Sequence, residues 1–258
     1  MQNPTMSSLR RFAAGAAAAL AALLAAGCAQ LPPDAGTNPA DPFEKFNRNM
    51  WAFNDALDRA VAKPVATAYV EWTPEFVRNR VTRMSANLFE PSNALNNTLQ
   101  GKVDDGVTSV FRFLVNSTFG IAGMFDVAEM IGMNERREDF GQTLGVWGVP
   151  PGPYLVLPFL GPSSGRDVTR YVEEFGTSPL TYALWHEDWW LSAGFAVVVF
   201  VDGRAQLLQL ENVRASTLDE YVAVRDAYLA MRANLVRDGQ ALDEEEELET
   251  LTPLEFDE

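Results

Sequence analysis

Cysteine and histidine are almost missing from these 258 residues, with one of each, Cys28 and His186. That scarcity excludes a disulfide scaffold and leaves a zinc-type site without ligands, since the carboxylates are scattered along helices. Positive charge is also short. Twenty Lys and Arg stand against 35 Asp and Glu, a net charge of −15, which argues against nucleic acid and against electrostatic docking on anionic head groups. No glycine-rich phosphate loop opens a helix, no repeated strand–helix–strand pattern runs through the chain, and no internal repeat is visible. No cofactor is called for.

The first 27 residues read as an export leader. Arg10 and Arg11 precede the apolar run 12–26, which is too short and too Ala-rich for a stable spanning helix. Leu24-Ala25-Ala26-Gly27-Cys28 reads as a lipoprotein box, with Ala25 where Leu is usual. Cys28 would be acylated and become the new N-terminus, and three acyl chains exceed the two signals that stable anchoring needs. Ala29 rather than Asp after it implies sorting to the outer membrane. Residues 28–40 form a Pro/Gly/Asn tether, 41–237 the body, and 238–258 an acidic disordered tail with nine acids in 241–258 and no base there.

The body reads as mostly α. Asp41-Pro42-Phe43-Glu44 predicts a helix start, with Asp41 as N-cap and Pro42 at N1. Phe46, Met50, Phe53, Leu57 and Val61 recur at helical spacing until Lys63-Pro64 closes the helix. A second helix starts at Thr73-Pro74 and ends at Pro91, and a third runs from 92 to Gly101. A fourth, 104–118, carries Val107, Val110, Phe111, Leu114 and Val115 on one face. Asp126 caps a short helix. Beyond residue 165 helices are expected to about 175, across 204–210 and across 219–237. The apolar run 191–201 is about 11 residues, a core or interfacial helix rather than a span.

Residues 141–165, GQTLGVWGVPPGPYLVLPFLGPSSG, hold no charge, and their five prolines and six glycines predict a bent, non-helical segment with a strand near 154–157. It is either a loop folded over the protein's own core or a segment that meets lipid. Gly161-Pro-Ser163-Ser-Gly165 mimics a hydrolase elbow, with Asp167 and His186 following in triad order. Pro158 and Pro162 spoil that geometry, and Asp167 is too near Ser163 to come from a separate loop, so a lipid hydrolase is the lesser alternative and catalysis is not expected.

Several segments together resemble the MlaA/VacJ family of outer-membrane lipoproteins. They include Asp41-Pro-Phe-Glu-Lys-Phe-Asn-Arg48, Phe53-Asn54, Arg112-Phe-Leu-Val-Asn116, Phe125-Asp-Val-Ala128, Gly152-Pro-Tyr154, Arg166-Asp167 and Arg204-Ala-Gln-Leu-Leu208. The resemblance implies a ring-shaped bundle of amphipathic helices lying in the outer membrane, with a Gly/Pro-rich apolar hairpin beside a central channel. It implies retrieval of mislocalised phospholipid, a trimeric porin as partner and a periplasmic carrier as recipient. A porin-scaffolding role is the alternative. The gating hairpin would fall at 145–154, with Gly145, Trp147, Gly148, Pro151, Gly152, Tyr154, Leu157 and Phe159 in or beside it, and Pro150 and Pro151 would stiffen it. Arg166, Asp167 and Arg204 would line a head-group lane, and Phe46, Trp51 and Phe53 would meet lipid tails.

Overall fold

A computed structural model describes residues 35–183, 189–211 and 217–240. The leader, Cys28, His186 and the tail from 241 lie outside them. Within them the chain is mostly α, as its periodicities predict.

Helix α1 is Glu44–Leu57. Asp41 does not cap it. Its carboxylate turns inward, accepting from Asn47 Nδ2 at 2.8 Å, from the Tyr221 hydroxyl and from Arg225, because three buried donors satisfy a carboxylate better than one helix amide. Lys63-Pro64 does not end the helix either. A π-turn, Asp58–Ala62, widens the backbone just ahead of Pro64, which then sits in the first turn of α2 (Lys63–Trp72), where its missing N–H is tolerated.

Helix α3 is Glu75–Leu99, a single helix that runs through Pro91 where two were expected. The lost backbone bond is offset by side-chain ties on both sides of the proline: Glu90 to Arg112 at 2.5 Å, and Ser92 to Glu173 at 2.9 Å. Helix α4 (Val103–Thr118) runs back along α3, pairing residue 112 with 90 and 117 with 87. Short α5 (Val127–Met130) is capped by Asp126, and α6 (Phe140–Val146) by Asp139. The uncharged stretch therefore opens with a helix, contrary to expectation, since its prolines start only at Pro150.

Strand β1 (Tyr154–Leu157) lies where the sequence placed a strand, and it pairs antiparallel with an unforeseen β2 (Gly161–Ser164), Tyr154 opposite Ser164. Phe159, with φ 65°, makes the turn. The outer edge of β1 is closed by two asparagines of α1 rather than by a third strand. Asn47 donates to Tyr154 O and accepts from Val156 N; Asn54, two turns on, does the same with Leu157 O and Phe159 N, each bond 2.9 Å. A side-chain amide thus satisfies an edge that would otherwise invite pairing. Helices α7 (Thr169–Thr177), α8 (Pro179–Ala183), α9 (Trp189–Gln206), a 3₁₀ turn (Leu207–Leu210) and α10 (Glu220–Val236) complete the body.

The interior is polar. Among the described residues 21 polar or charged residues are buried against nine apolar ones, the reverse of an ordinary soluble core. Helix α4 shows why: Gly106, Ser109, Arg112 and Asn116 face inward, while Val103, Val107, Val110, Phe111 and Leu114 face out. The apolar stripe read from its period was real, but it is an outer face. Residues 193–210 are long and apolar enough to cross a membrane and only 6% of them are buried, so the run expected to be a core or interfacial helix is not a core helix. The compact apolar cluster that remains joins Met50, Tyr154, Val156, Tyr221 and Tyr228.

Candidate functional site

A cavity of about 370 Å³ opens between α3, residues 135–139, α6, α7 and α9. Helix α3 brings Ser85, Phe89 and Asn93 to its wall; α7 brings Arg170 and Glu174; α9 brings Val199, Asp202 and Gln206. The asparagines of α3 hold the facing segment in place: Asn93 Oδ1 accepts from Glu138 N at 3.2 Å, Asn97 donates to Arg136 O at 3.1 Å, and Asn96 accepts from the Thr143 hydroxyl at 2.8 Å. Ala86 and Phe89 of α3 and Val199 of α9 are its apolar lining residues, and apart from Gly203 the rest are charged or polar.

Most lining charges are already engaged. Glu135 pairs with Arg137 at 2.8 Å, Glu138 with Lys102 at 2.9 Å and Asp139 with Arg232 at 2.6 Å. Asp202 accepts from the Tyr69 and Thr82 hydroxyls at 3.0 and 2.7 Å and from Gln206 at 3.0 Å. Two charges differ. The Glu174 carboxylate accepts no hydrogen bond among the described residues, and burial pushes it up to about 7. Arg170 stacks on the Tyr171 ring and donates to its hydroxyl at 2.8 Å, but its Nε meets no acceptor.

Next to the cavity lies a buried ionic knot. Arg232 reaches both oxygens of Asp139 (2.6 and 2.8 Å) and both of Asp167 (3.0 and 3.1 Å); Tyr228 and Arg166 add 2.9 and 3.1 Å bonds to Asp167. Burial pushes both carboxyls up, and Arg232 more than offsets it, so each stays below its ordinary value of 3.8. Gly141 allows this approach, because a Cβ there would stand 2.6 Å from Asp167 Oδ1 and 2.8 Å from Arg232 Nη2.

The residues expected to line a head-group lane do not line this cavity. Arg166 and Asp167 belong to the knot, and Arg204 to a separate network with Asp58 (2.6 Å) and Glu211; none of the three lines the cavity. Residues 145–154 form no two-stranded hairpin. Gly145 ends in α6, Trp147 and Gly148 turn the chain, and an exposed Pro150-Pro151-Gly152 stretch leads to β1. Tyr154 is fully buried in the aromatic cluster, and Phe53, expected to meet lipid tails, is nearly so and packs instead against Phe159 at the strand turn. Phe46, Trp147 and Phe159 are exposed; Trp51 and Leu157 are half-buried. Ser163 sits mid-strand with its hydroxyl buried, on no exposed elbow, and Asp167 is committed to Arg232.

The cavity residues escaped sequence reading, although one signal was present. Asp202 follows directly on the apolar run 191–201, and a lone carboxylate in a helix of membrane-crossing length marks a polar path.

A family model described as MlaA lipoprotein matches residues 39–235. This chain belongs to the MlaA lipoprotein family. Its relatives include a protein of Escherichia coli named "Intermembrane phospholipid transport system lipoprotein MlaA", 34% identical over 89% of this chain and 91% of that one. An uncharacterised protein of Rickettsia typhi is 40% identical over 72% and 74% of the two chains. A solved structure described as "Structural basis for maintenance of bacterial outer membrane lipid asymmetry" is similar with a TM-score of 0.65 and 34% identity, covering 76% of this chain and 98% of its own. The MlaA match takes in every cavity-lining residue and both strands, and it stops short of the acidic tail.

Proposed function

We propose that this chain is an outer-membrane lipoprotein that takes mislocalised phospholipid from the outer leaflet and lets it descend through the cavity toward a periplasmic carrier. The observation that carries the reading is a charged cavity held inside a body whose outer face is apolar. A charged group at the bilayer centre costs about 2.5–3.5 kcal/mol or more, and a polar lane removes that cost for a lipid head group. At about 370 Å³ the cavity is at the low end of small-ligand pockets. It takes a head group but not two long acyl chains, which would lie along Phe89 and Val199 and out toward hydrocarbon. The family supports the substrate and the membrane. An acyl anchor at Cys28, a trimeric porin docked on the apolar face and a soluble carrier below complete the proposal. Within 145–154, the exposed stretch 147–152 between α6 and β1 is the element proposed to gate entry.

The sequence has one Cys, Cys28, so a Ser85→Cys variant places a single further thiol, on the cavity wall. Deletion in the native bacterium should raise outer-leaflet phospholipid, and the untreated variant should restore the normal level. Labelling that thiol with a bulky maleimide, confirmed by mass, should abolish restoration. Normal asymmetry after complete labelling, or no accumulation on deletion, would overturn the reading.

A further inference from the structure

Resting on that reading, we infer that Arg170 and Glu174 form a reader for zwitterionic head groups, the guanidinium taking the phosphate and the carboxylate taking a primary ammonium. Both residues line the cavity and lie one turn apart on α7, so their side chains share a face. They are singled out by elimination. The other lining acids, Glu135, Glu138, Asp139 and Asp202, already have protein partners, and an engaged carboxylate has little left to offer an arriving charge. Arg137 is likewise held by Glu135. Arg170 keeps an unpartnered Nε, and Glu174 keeps its whole carboxylate.

The two do not satisfy each other. No ion pair joins them in the structure, and Arg placed before Glu is the weaker order for an i,i+4 pair on a helix. A zwitterion completes both, since an ammonium favours the ionised form of a carboxylate that burial drives toward neutrality, and a guanidinium is suited to phosphate oxygens. The wall as a whole carries five acids and two arginines. An anionic phosphoglycerol head would bring one more negative charge and no ammonium to a wall that already has an excess of them.

The experiment uses the full lipidated protein in a neutral detergent, equilibrated with equimolar dioleoyl phosphatidylethanolamine and dioleoyl phosphatidylglycerol, with bound lipid read by native mass spectrometry. Wild type should hold the ethanolamine lipid in roughly tenfold excess, equivalent to about 1.4 kcal/mol. Glu174→Gln should bring the two lipids to near parity without lowering total bound lipid. Arg170→Gln should weaken both by a similar factor and keep the preference. Circular dichroism on each variant separates these effects from misfolding; if a variant is misfolded, the wild-type ratio alone decides. Bound lipid without preference in wild type, or a preference unchanged by Glu174→Gln, overturns the reader and leaves the transport reading standing. No bound phospholipid at all overturns both.

Discussion

Replacing Arg232 by Met should destabilise the body more at neutral pH than in acid. Arg232 is 3% exposed and makes four hydrogen bonds of 2.6–3.1 Å to Asp139 and Asp167. Met fills similar space but strands two buried carboxylates, and breaking a buried pair in this way costs about 3–5 kcal/mol. Asp139 keeps the Gln142 amide, and Asp167 keeps Tyr228 and Arg166, so the lower half of that range is expected. For a body of about 200 residues each kcal/mol moves the midpoint by roughly 2–4 °C, giving a fall of about 10 °C. The pH dependence has a definite sign. In wild type both folded-state carboxyls lie below 3.8, so their contribution is present above the unfolded value and is lost as pH falls through the folded one. Without Arg232, burial leaves them raised, and the variant loses stability as pH rises. The gap between variant and wild type should thus be widest near pH 7 and narrow below about pH 4. Thermal unfolding of the detergent-solubilised protein, followed by circular dichroism across that range, measures it. A pH-independent gap, or full recovery with Arg232→Lys, which lacks the planar fork, would refute the reasoning.

Two further outcomes are expected. Gly141→Ala brings a Cβ within 2.6 Å of Asp167 Oδ1, an overpacking that should cost about 1–3 kcal/mol, read as a lower midpoint in the same assay. Phe111→Lys places a charge on the outward stripe of α4, where a charge facing hydrocarbon costs about 2.5–3.5 kcal/mol; co-flotation with phospholipid vesicles should fall while helix content holds.

The limits of α4 and the place of β1 were legible because each has a clear local cause: an acidic first turn before an apolar period, and a β-prone run fenced by prolines. What the stripes faced was not legible, since periodicity gives a face and not its surroundings, and α4 turns its valines outward. Pro91 read as a stop because the ties that carry α3 past it, through Glu90 and Ser92, come from residues 22 and 81 positions away. Nothing local to α1 shows that Asn47 and Asn54 cap a strand more than a hundred residues on. Arg166 and Arg204 were expected to line a head-group lane because the family resemblance implies one. The structure pairs Arg166 with Asp167 and Arg204 with Asp58 and Glu211, while Arg170 and Glu174, on the cavity wall, carried no mark in the sequence.

Tyr154 N donates to Ala40 O at 2.9 Å, and Gly36 N to Glu44 at 3.0 Å. With the acyl anchor proposed at Cys28, the chain from there to Gly36 is only about eight residues, a leash of at most about 30 Å when fully stretched. That is no longer than the hydrocarbon thickness of one bilayer. On that proposal the body cannot cross the periplasm to deliver cargo. Its far end is fastened beside β1, so in the proposed pathway the carrier comes to the lipoprotein.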